Sequence, residues 1–148
     1  VTMNVGVFAF ILSMERDGQP VTDIKSLNLY ASREPTKALA MMILLFSLAG
    51  VPPMLGFFAK YAVLTAAIQG GYIWLALLGV LTSVVAAFYY IRIIYFMYFG
   101  KEVEPLDHRM PAGPWGLLVA SARVTGFGVF NLFGIEGSAQ AAAAALVN

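Results

Sequence analysis

Two long stretches of the chain lack charged residues, and they predict helices that span a membrane. No Asp, Glu, Lys or Arg occurs from Ala38 to Ala59, and after Lys60 none occurs until Arg92. A helix needs about 20 predominantly apolar residues to cross the hydrocarbon core of a bilayer. The "QGGY" turn at 69–72 divides this apolar part of the chain into two segments.

The whole pattern predicts an all-α fold, a polytopic transmembrane helix bundle. Its expected elements are a partial helix over 2–14, a surface helix over 22–31, a broken helix over 36–50 and 57–69, and helices over 72–99 and 115–133. In the surface helix, Ile24, Leu27 and Tyr30 recur at helical spacing after Thr22, a candidate N-cap. Of the 148 residues, 60% are hydrophobic and 11% are charged, which is typical of a membrane protein. Because the chain opens without Met on an apolar helical pattern, we expect a C-terminal fragment of a longer protein.

The segment over 36–69 contains a helix-breaking motif. As one helix it would be roughly 50 Å long, against a hydrocarbon core of about 30 Å. Proline removes a backbone donor and clashes with the preceding turn, so Pro52 and Pro53 predict a break, flanked by Gly50 and Gly56. We expect two half-helices of about 20 Å each, joined by extended backbone near the membrane midplane.

The basic residues predict an orientation in the membrane. Lys and Arg occur in the polar segment before the broken helix and in the loop after the 72–99 helix, but not in the 69–72 turn or the C-terminal tail. Basic residues favour the cytoplasmic side. Both polar loops are therefore expected to be cytoplasmic, and the turn and the C-terminus to face outward.

Lys60 lies about two turns past the break, near mid-membrane depth. A lysine there costs about 2.5 to 3.5 kcal/mol, and the interface at Gln69 is too far away for its side chain to reach. We therefore expect Lys60 to face a hydrated protein interior. Burial and the positive N-terminal end of the second half-helix both disfavour the ammonium form, as a proton relay requires. The alternative is a structural lysine that pairs with a carboxylate on another helix.

The residues around Lys60 resemble a known family. "SLAGVPPMLGFFAKYAVL", with "LNLYASREPTKALAMMILLF" before it and "YYIRIIYFMYFG" after it, is similar to the antiporter-like, proton-translocating membrane subunits of respiratory complex I. The resemblance covers residues 26–100 and is strongest to the subunit N family. It implies that Lys60 belongs to a proton-transfer chain and that the fragment holds the last four of fourteen helices. Two differences favour the subunit N family over its relatives. Subunit M typically has glutamate where this chain has Lys60, and subunit L continues into a lateral arm.

The resemblance implies a subunit of a proton-translocating NADH:quinone oxidoreductase in the bacterial inner membrane. Its partners would be other membrane subunits, including neighbouring antiporter-like ones, and the lipid bilayer. The chain has no Cys and no Gly-rich phosphate loop, so we expect it to bind no cofactor or metal. Its net charge of +1, with scattered signs, gives no basis for binding nucleic acid. NADH, FMN, iron–sulfur clusters and quinone would be bound by other subunits. The alternatives are a cation/proton antiporter or membrane-bound hydrogenase subunit of the same fold, or a purely structural subunit.

A few other polar residues lie within apolar segments. Arg92, with Tyr89, is a candidate accessory residue at the cytoplasmic end of the proton path; the alternative is that Arg92 reaches lipid headgroups. We expect Thr82 and Ser83 to bond to their own helix, with a water contact as the alternative. Arg123 does not belong to the family pattern. It could pair with an acid, reach headgroups or be an idiosyncrasy of this sequence.

Overall fold

The structure is a computed structural model that describes residues 1–21, 23–52, 54–101, 106 and 111–127. Within these residues the helices are α1 (Thr2–Leu12), α2 (Tyr30–Arg33), α3 (Pro35–Ala49), α4 (Leu55–Gln69), α5 (Ile73–Phe99) and α6 (Ala112–Phe127). A 3₁₀ turn (Ile24–Leu27) and the short strands β1 (Glu15–Arg16) and β2 (Gln19–Pro20) lie between α1 and α2.

Helix α3 is at the centre of the bundle. Pro35 occupies its first turn, where no intrahelical donor is lost. Helices α1 and α6 pack on α3 and on each other, while α5 packs along α3 and α4 lies against α5 and the end of α3. The largest fully buried apolar side chains come from α1, α3, α5 and α6: Phe10, Met41, Leu44, Leu45, Met97 and Leu118.

Helices α1, α3 and α6 approach one another closely at Gly6. A Cβ atom added to Gly6 would lie 2.6 Å from Leu44 Cδ1 on α3 and 2.6 Å from Ser121 Cβ on α6. The hydrogen side chain of glycine therefore allows this contact. Small residues at such crossings are typical of helix packing in membranes, where apolar burial between helices gives little driving force.

Helix α5 is the one described helix that is long and apolar enough by itself to cross a membrane. Its 27 residues extend about 40 Å, and only Ala76, Ile94 and Met97 are buried. The exposed side chains are largely apolar, such as Trp74 and Val84. A lipid or protein environment suits such a surface, and water does not.

The predicted surface helix is wrong as one continuous element. The 3₁₀ turn at Ile24–Leu27 and the four-residue α2 are separated at Leu29, which has a left-handed backbone with φ of 52°. The Leu29 N–H donates to the carbonyl of Phe96 on α5 at 3.1 Å, so this donor is not available to a helix. The N-cap of the 3₁₀ turn is Asp23, whose side chain accepts from Lys25 N–H. Thr22, the expected cap, lies outside the described residues.

A small antiparallel hairpin also departs from the all-α expectation. Glu15 pairs with Pro20 and Arg16 with Gln19. The turn between them has positive φ at both Asp17 (53°) and Gly18 (73°). Asp-Gly is a strong signal for a two-residue hairpin turn, because both positions must adopt positive φ.

The remaining helices lie near their expected ranges. Helix α1 ends at Leu12 rather than at 14, α4 begins at Leu55 rather than at 57, and α6 begins at Ala112 rather than at 115. The expected end of the last helix, 128–133, lies outside the described residues.

Candidate functional site

Gly50 ends α3 by a specific hydrogen-bonding motif. Its backbone is left-handed, with φ of 83°. The Gly50 N–H donates to Ser47 O at 3.0 Å, and the Val51 N–H donates to Phe46 O at 3.1 Å. These two bonds define a Schellman motif, in which glycine is favoured because it adopts positive φ without strain. Pro52 follows, as is common after such a cap. The break thus begins with glycine; Pro53 lies outside the described residues.

Ser47 of α3 caps the start of α4. The backbone N–H of Gly56, in the first turn of α4, donates to Ser47 Oγ at 3.0 Å in a buried environment. A Cβ atom on Gly56 would overlap the carbonyl oxygen of Ser47, so glycine is required for this approach. The sequence predicted Gly56 as part of the break but did not single out Ser47.

Lys60 of α4 reaches back to the end of α3. Its Nζ donates to the carbonyl oxygen of Ala49, the last residue of α3, at 3.0 Å. A Cβ atom on Gly50 would lie 3.0 Å from Lys60 Cδ and 3.3 Å from Nζ, so the lysine crosses directly over this glycine. From the sequence we considered burial and the positive end of α4, but not the end of α3. The structure places the ammonium against the C-terminal end of α3, whose partial negative charge favours the charged form.

The two half-helices therefore cap each other. Ser47, from α3, binds a backbone donor at the start of α4, and Lys60, from α4, binds a backbone acceptor at the end of α3. We call these two bonds the reciprocal caps. Each satisfies a polar group that a helix end leaves unpaired, which matters most at membrane depth because lipid cannot replace the bond.

Lys60 is half-buried and borders two clefts between α4 and α5. The break-side cleft, of about 250 Å³, is lined by Ala49 and Gly50 among others. The turn-side cleft, of about 320 Å³, is lined by Val63 of α4 and Gly79 of α5 among others. None of the described residues that line either cleft is acidic. Among the described residues, the partner of the ammonium is a neutral carbonyl.

The predicted accessory residues do not join this site. Arg92 and Tyr89 are exposed on α5 and line neither cleft. The guanidinium carbon of Arg92 lies 5.6 Å from the centre of the Phe96 ring, a cation–π contact within its own helix. Arg123 is also exposed, whereas Leu118 and Ser121 of the same helix are buried. The described residues contain no cluster of three His, Cys, Asp or Glu side chains that could hold a metal ion.

A membrane helix that is divided into two half-helices is a feature of many membrane ion transporters. The family model described as the NADH:quinone oxidoreductase/Mrp antiporter transmembrane family matches residues 1–86. The chain belongs to this family, and the predicted class, a polytopic antiporter-like helix bundle, is thereby confirmed.

The similar proteins narrow this class further. Over 148 residues the chain is 60% identical to NADH-quinone oxidoreductase subunit N of Rhodobacter capsulatus, covering 100% of this chain and 31% of that protein. It is 58% identical to the protein of the same name from Jannaschia sp. (strain CCS1), covering 99% of this chain and 31% of that one. It is 44% identical to NADH-quinone oxidoreductase subunit N of Rhodospirillum rubrum, covering 97% of this chain and 30% of that protein. The chain thus spans about a third of the length of these relatives.

Proposed function

We propose that this chain forms part of the proton path of a proton-translocating NADH:quinone oxidoreductase, and that Lys60 transfers the proton at the helix break. The names of the similar proteins support the complex. The observation that carries the role of Lys60 is the bond from its Nζ to the Ala49 carbonyl, which holds a titratable group at the junction of two half-helices.

A neutral partner suits a group that must gain and lose a proton. Lys60 makes no ion pair with any described residue, so deprotonation does not strand a buried carboxylate beside it. An uncharged amine can still donate to the Ala49 carbonyl. However, the bond is then no longer charge-assisted and loses the attraction of the α3 end. The protonation state of Lys60 therefore changes how strongly the two half-helices hold together.

Electron transfer would take place in partner subunits, which would bind NADH, FMN, iron–sulfur clusters and quinone. The proposal places the chain in the bacterial inner membrane beside other antiporter-like subunits. Its polar loops would be cytoplasmic and its C-terminus outward, as the distribution of basic residues predicts.

Four variants test the role of Lys60 in the assembled complex that contains the full-length protein. We expect Lys60→Ala and Lys60→Met to retain the subunit but to reduce quinone reduction and proton pumping sharply. Lys60→Arg should fail similarly, because a guanidinium does not release its proton at workable pH. Lys60→Glu should keep part of the activity, since a carboxylate at an apolar site can also titrate near neutrality. Both rates are measured per assembled complex.

A structural lysine gives the opposite order. Arginine would then be the best replacement, and activity losses would follow the amount of assembled complex. Wild-type rates of both quinone reduction and pumping in Lys60→Arg would rule out the relay role.

The second candidate is a subunit of a cation/proton antiporter or of a related membrane-bound hydrogenase complex. The family description names Mrp antiporters beside the oxidoreductase, which supports this second candidate. Transport assays with and without sodium separate the two. Redox-driven pumping that is unchanged without sodium supports the oxidoreductase, and an obligatory sodium requirement supports the antiporter.

A further inference from the structure

Ser83 of α5 borders the same two clefts as Lys60. The break-side cleft contains Lys60 and Ser83 together with Ala49 and Gly50. The turn-side cleft contains Lys60 and Ser83 together with Val63. Lys60 and Ser83 are the polar side chains that the described linings of the two clefts share. Each helix thus contributes one polar side chain that borders both clefts.

Thr82, the residue before Ser83, bonds to its own helix, whereas Ser83 makes no such bond to a described residue. Thr82 Oγ1 donates to the carbonyls of Leu78 at 3.0 Å and Gly79 at 3.1 Å, and its side chain is exposed. This is the usual behaviour of a hydroxyl within an apolar helix. Ser83 is half-buried, and its hydroxyl makes no hydrogen bond with any described residue. Its donor and both acceptor positions are thus available to the clefts.

The clefts can hold water where Ser83 and Lys60 meet. Liquid water occupies about 30 Å³ per molecule, so volumes of about 250 and 320 Å³ are each large enough for several. A bound water needs two to four polar partners. Lys60 and Ser83 border both clefts, and the Ala49 carbonyl, which accepts from Lys60 Nζ, borders the break-side cleft. An ammonium at membrane depth also requires protein or water on this side of α4, because lipid cannot solvate it.

We propose that Ser83 is a positioning residue that holds the water through which Lys60 exchanges its proton between the two clefts. This inference rests on the relay role proposed for Lys60. In the transfer, Nζ gives one proton to the oxygen of the bound water, and that water gives one of its own protons to the oxygen of a second water molecule in the neighbouring cleft. The Ser83 hydroxyl orients the water and is a neutral hydroxyl before and after the step.

The test compares Ser83→Ala with Thr82→Val in the assembled complex that contains the full-length protein. Both changes remove one hydroxyl from adjacent positions of the same helix. We expect Ser83→Ala to assemble, to lower coupled quinone reduction about fivefold, the order of one lost hydrogen bond, and to raise the solvent deuterium isotope effect on the rate. Thr82→Val should match wild type in rate and isotope effect. A purely structural defect would lower the amount of complex without changing the isotope effect.

Measurement of Lys60→Ala beside Ser83→Ala and Thr82→Val distinguishes a failure of this inference from a failure of the proposed function. Wild-type pumping in Lys60→Ala overturns the relay itself. Loss of pumping in Lys60→Ala, with Ser83→Ala equal to Thr82→Val in rate and isotope effect, overturns only the role of Ser83. If Ser83→Ala fails to assemble, Ser83→Cys preserves the shape with a weaker hydrogen bond, and a wild-type rate and isotope effect in that variant overturn the inference.

Discussion

Ser47 and Gly56 are joined across the helix break by a buried hydrogen bond of 3.0 Å, from the backbone N–H of Gly56 to the side-chain oxygen of Ser47. The same contact brings the two backbones so close that Gly56 has no room for a Cβ atom. It fixes the offset between α3 and α4. That offset places Lys60 within hydrogen-bonding distance of Ala49.

Removal of the Ser47 hydroxyl should loosen the break. In Ser47→Ala the Gly56 N–H loses its acceptor in a buried site, which typically costs about 1–3 kcal/mol. Ser32→Ala is the matched control, because the Ser32 hydroxyl binds the Leu29 carbonyl at an exposed position. We expect a lower thermal unfolding temperature for Ser47→Ala and no change for Ser32→Ala. Equal temperatures for the two variants would show that the bond contributes no stability.

Alanine variants of Gly50 and Gly71 distinguish the effect of backbone strain from the effect of contact with Lys60. Both have positive φ, 83° and 79°, so alanine costs about 1–2 kcal/mol at either position. A Cβ atom on Gly50 meets the Lys60 side chain, whereas one on Gly71 meets nothing within 4 Å. We expect both alanine variants to lower stability, but only Gly50→Ala to reduce pumping per assembled complex. Equal pumping in the two variants would contradict a functional link between Gly50 and Lys60.

The crossing at Gly6 should be intolerant of a methyl group. In Gly6→Ala the new Cβ atom would collide with Leu44 on α3 and Ser121 on α6, so these helices must separate. Gly116, within α6, has nothing within 4 Å of an added Cβ atom and is the control. We expect less of the protein to survive detergent extraction in folded form for Gly6→Ala, and wild-type recovery for Gly116→Ala. Wild-type recovery for both would show that the crossing adapts.

Two exposed glutamines test the orientation in the membrane. Gln69 ends α4 at the turn expected outside, and Gln19 lies in the hairpin of the polar segment expected inside. Gln69→Cys should react with a membrane-impermeant maleimide on intact cells, and Gln19→Cys only after permeabilisation. The reverse labelling pattern would overturn the orientation that the basic residues predict.

The break could be predicted from the sequence because its cause is local. A left-handed glycine followed by proline ends a helix wherever it occurs, and Gly50 and Pro52 lie in an otherwise apolar run. The role of Ser47 could not be predicted in this way. Its partner is nine residues away across the break, so the bond depends on how the half-helices are offset.

The other differences between the sequence predictions and the structure also depend on whether their cause is local or distant in the chain. The split of the surface segment at Leu29 depends on the Phe96 carbonyl of a distant helix, which no local pattern reveals. The hairpin at Asp17–Gly18 did carry a local signal, which was hidden within a segment otherwise interpreted as polar loop. Thr82 bonds to its own helix as predicted. For Ser83 the structure shows no such bond to a described residue, and the half-buried hydroxyl lies beside the clefts instead.

The acceptor of the Lys60 bond is a main-chain carbonyl, and this has a consequence for mutagenesis. Replacement of the Ala49 side chain leaves the acceptor atom in place. An alanine or saturation scan of this region therefore tests the Lys60 side chain but does not test the Ala49 carbonyl. Tolerance of substitution at position 49 therefore carries no information on the importance of its oxygen. Only chemistry that alters the backbone itself reaches that partner. Replacement of the peptide bond after Ala49 by an ester weakens the carbonyl acceptor, and it also removes the Gly50 N–H that donates to Ser47 O, so its effect combines the loss of both bonds.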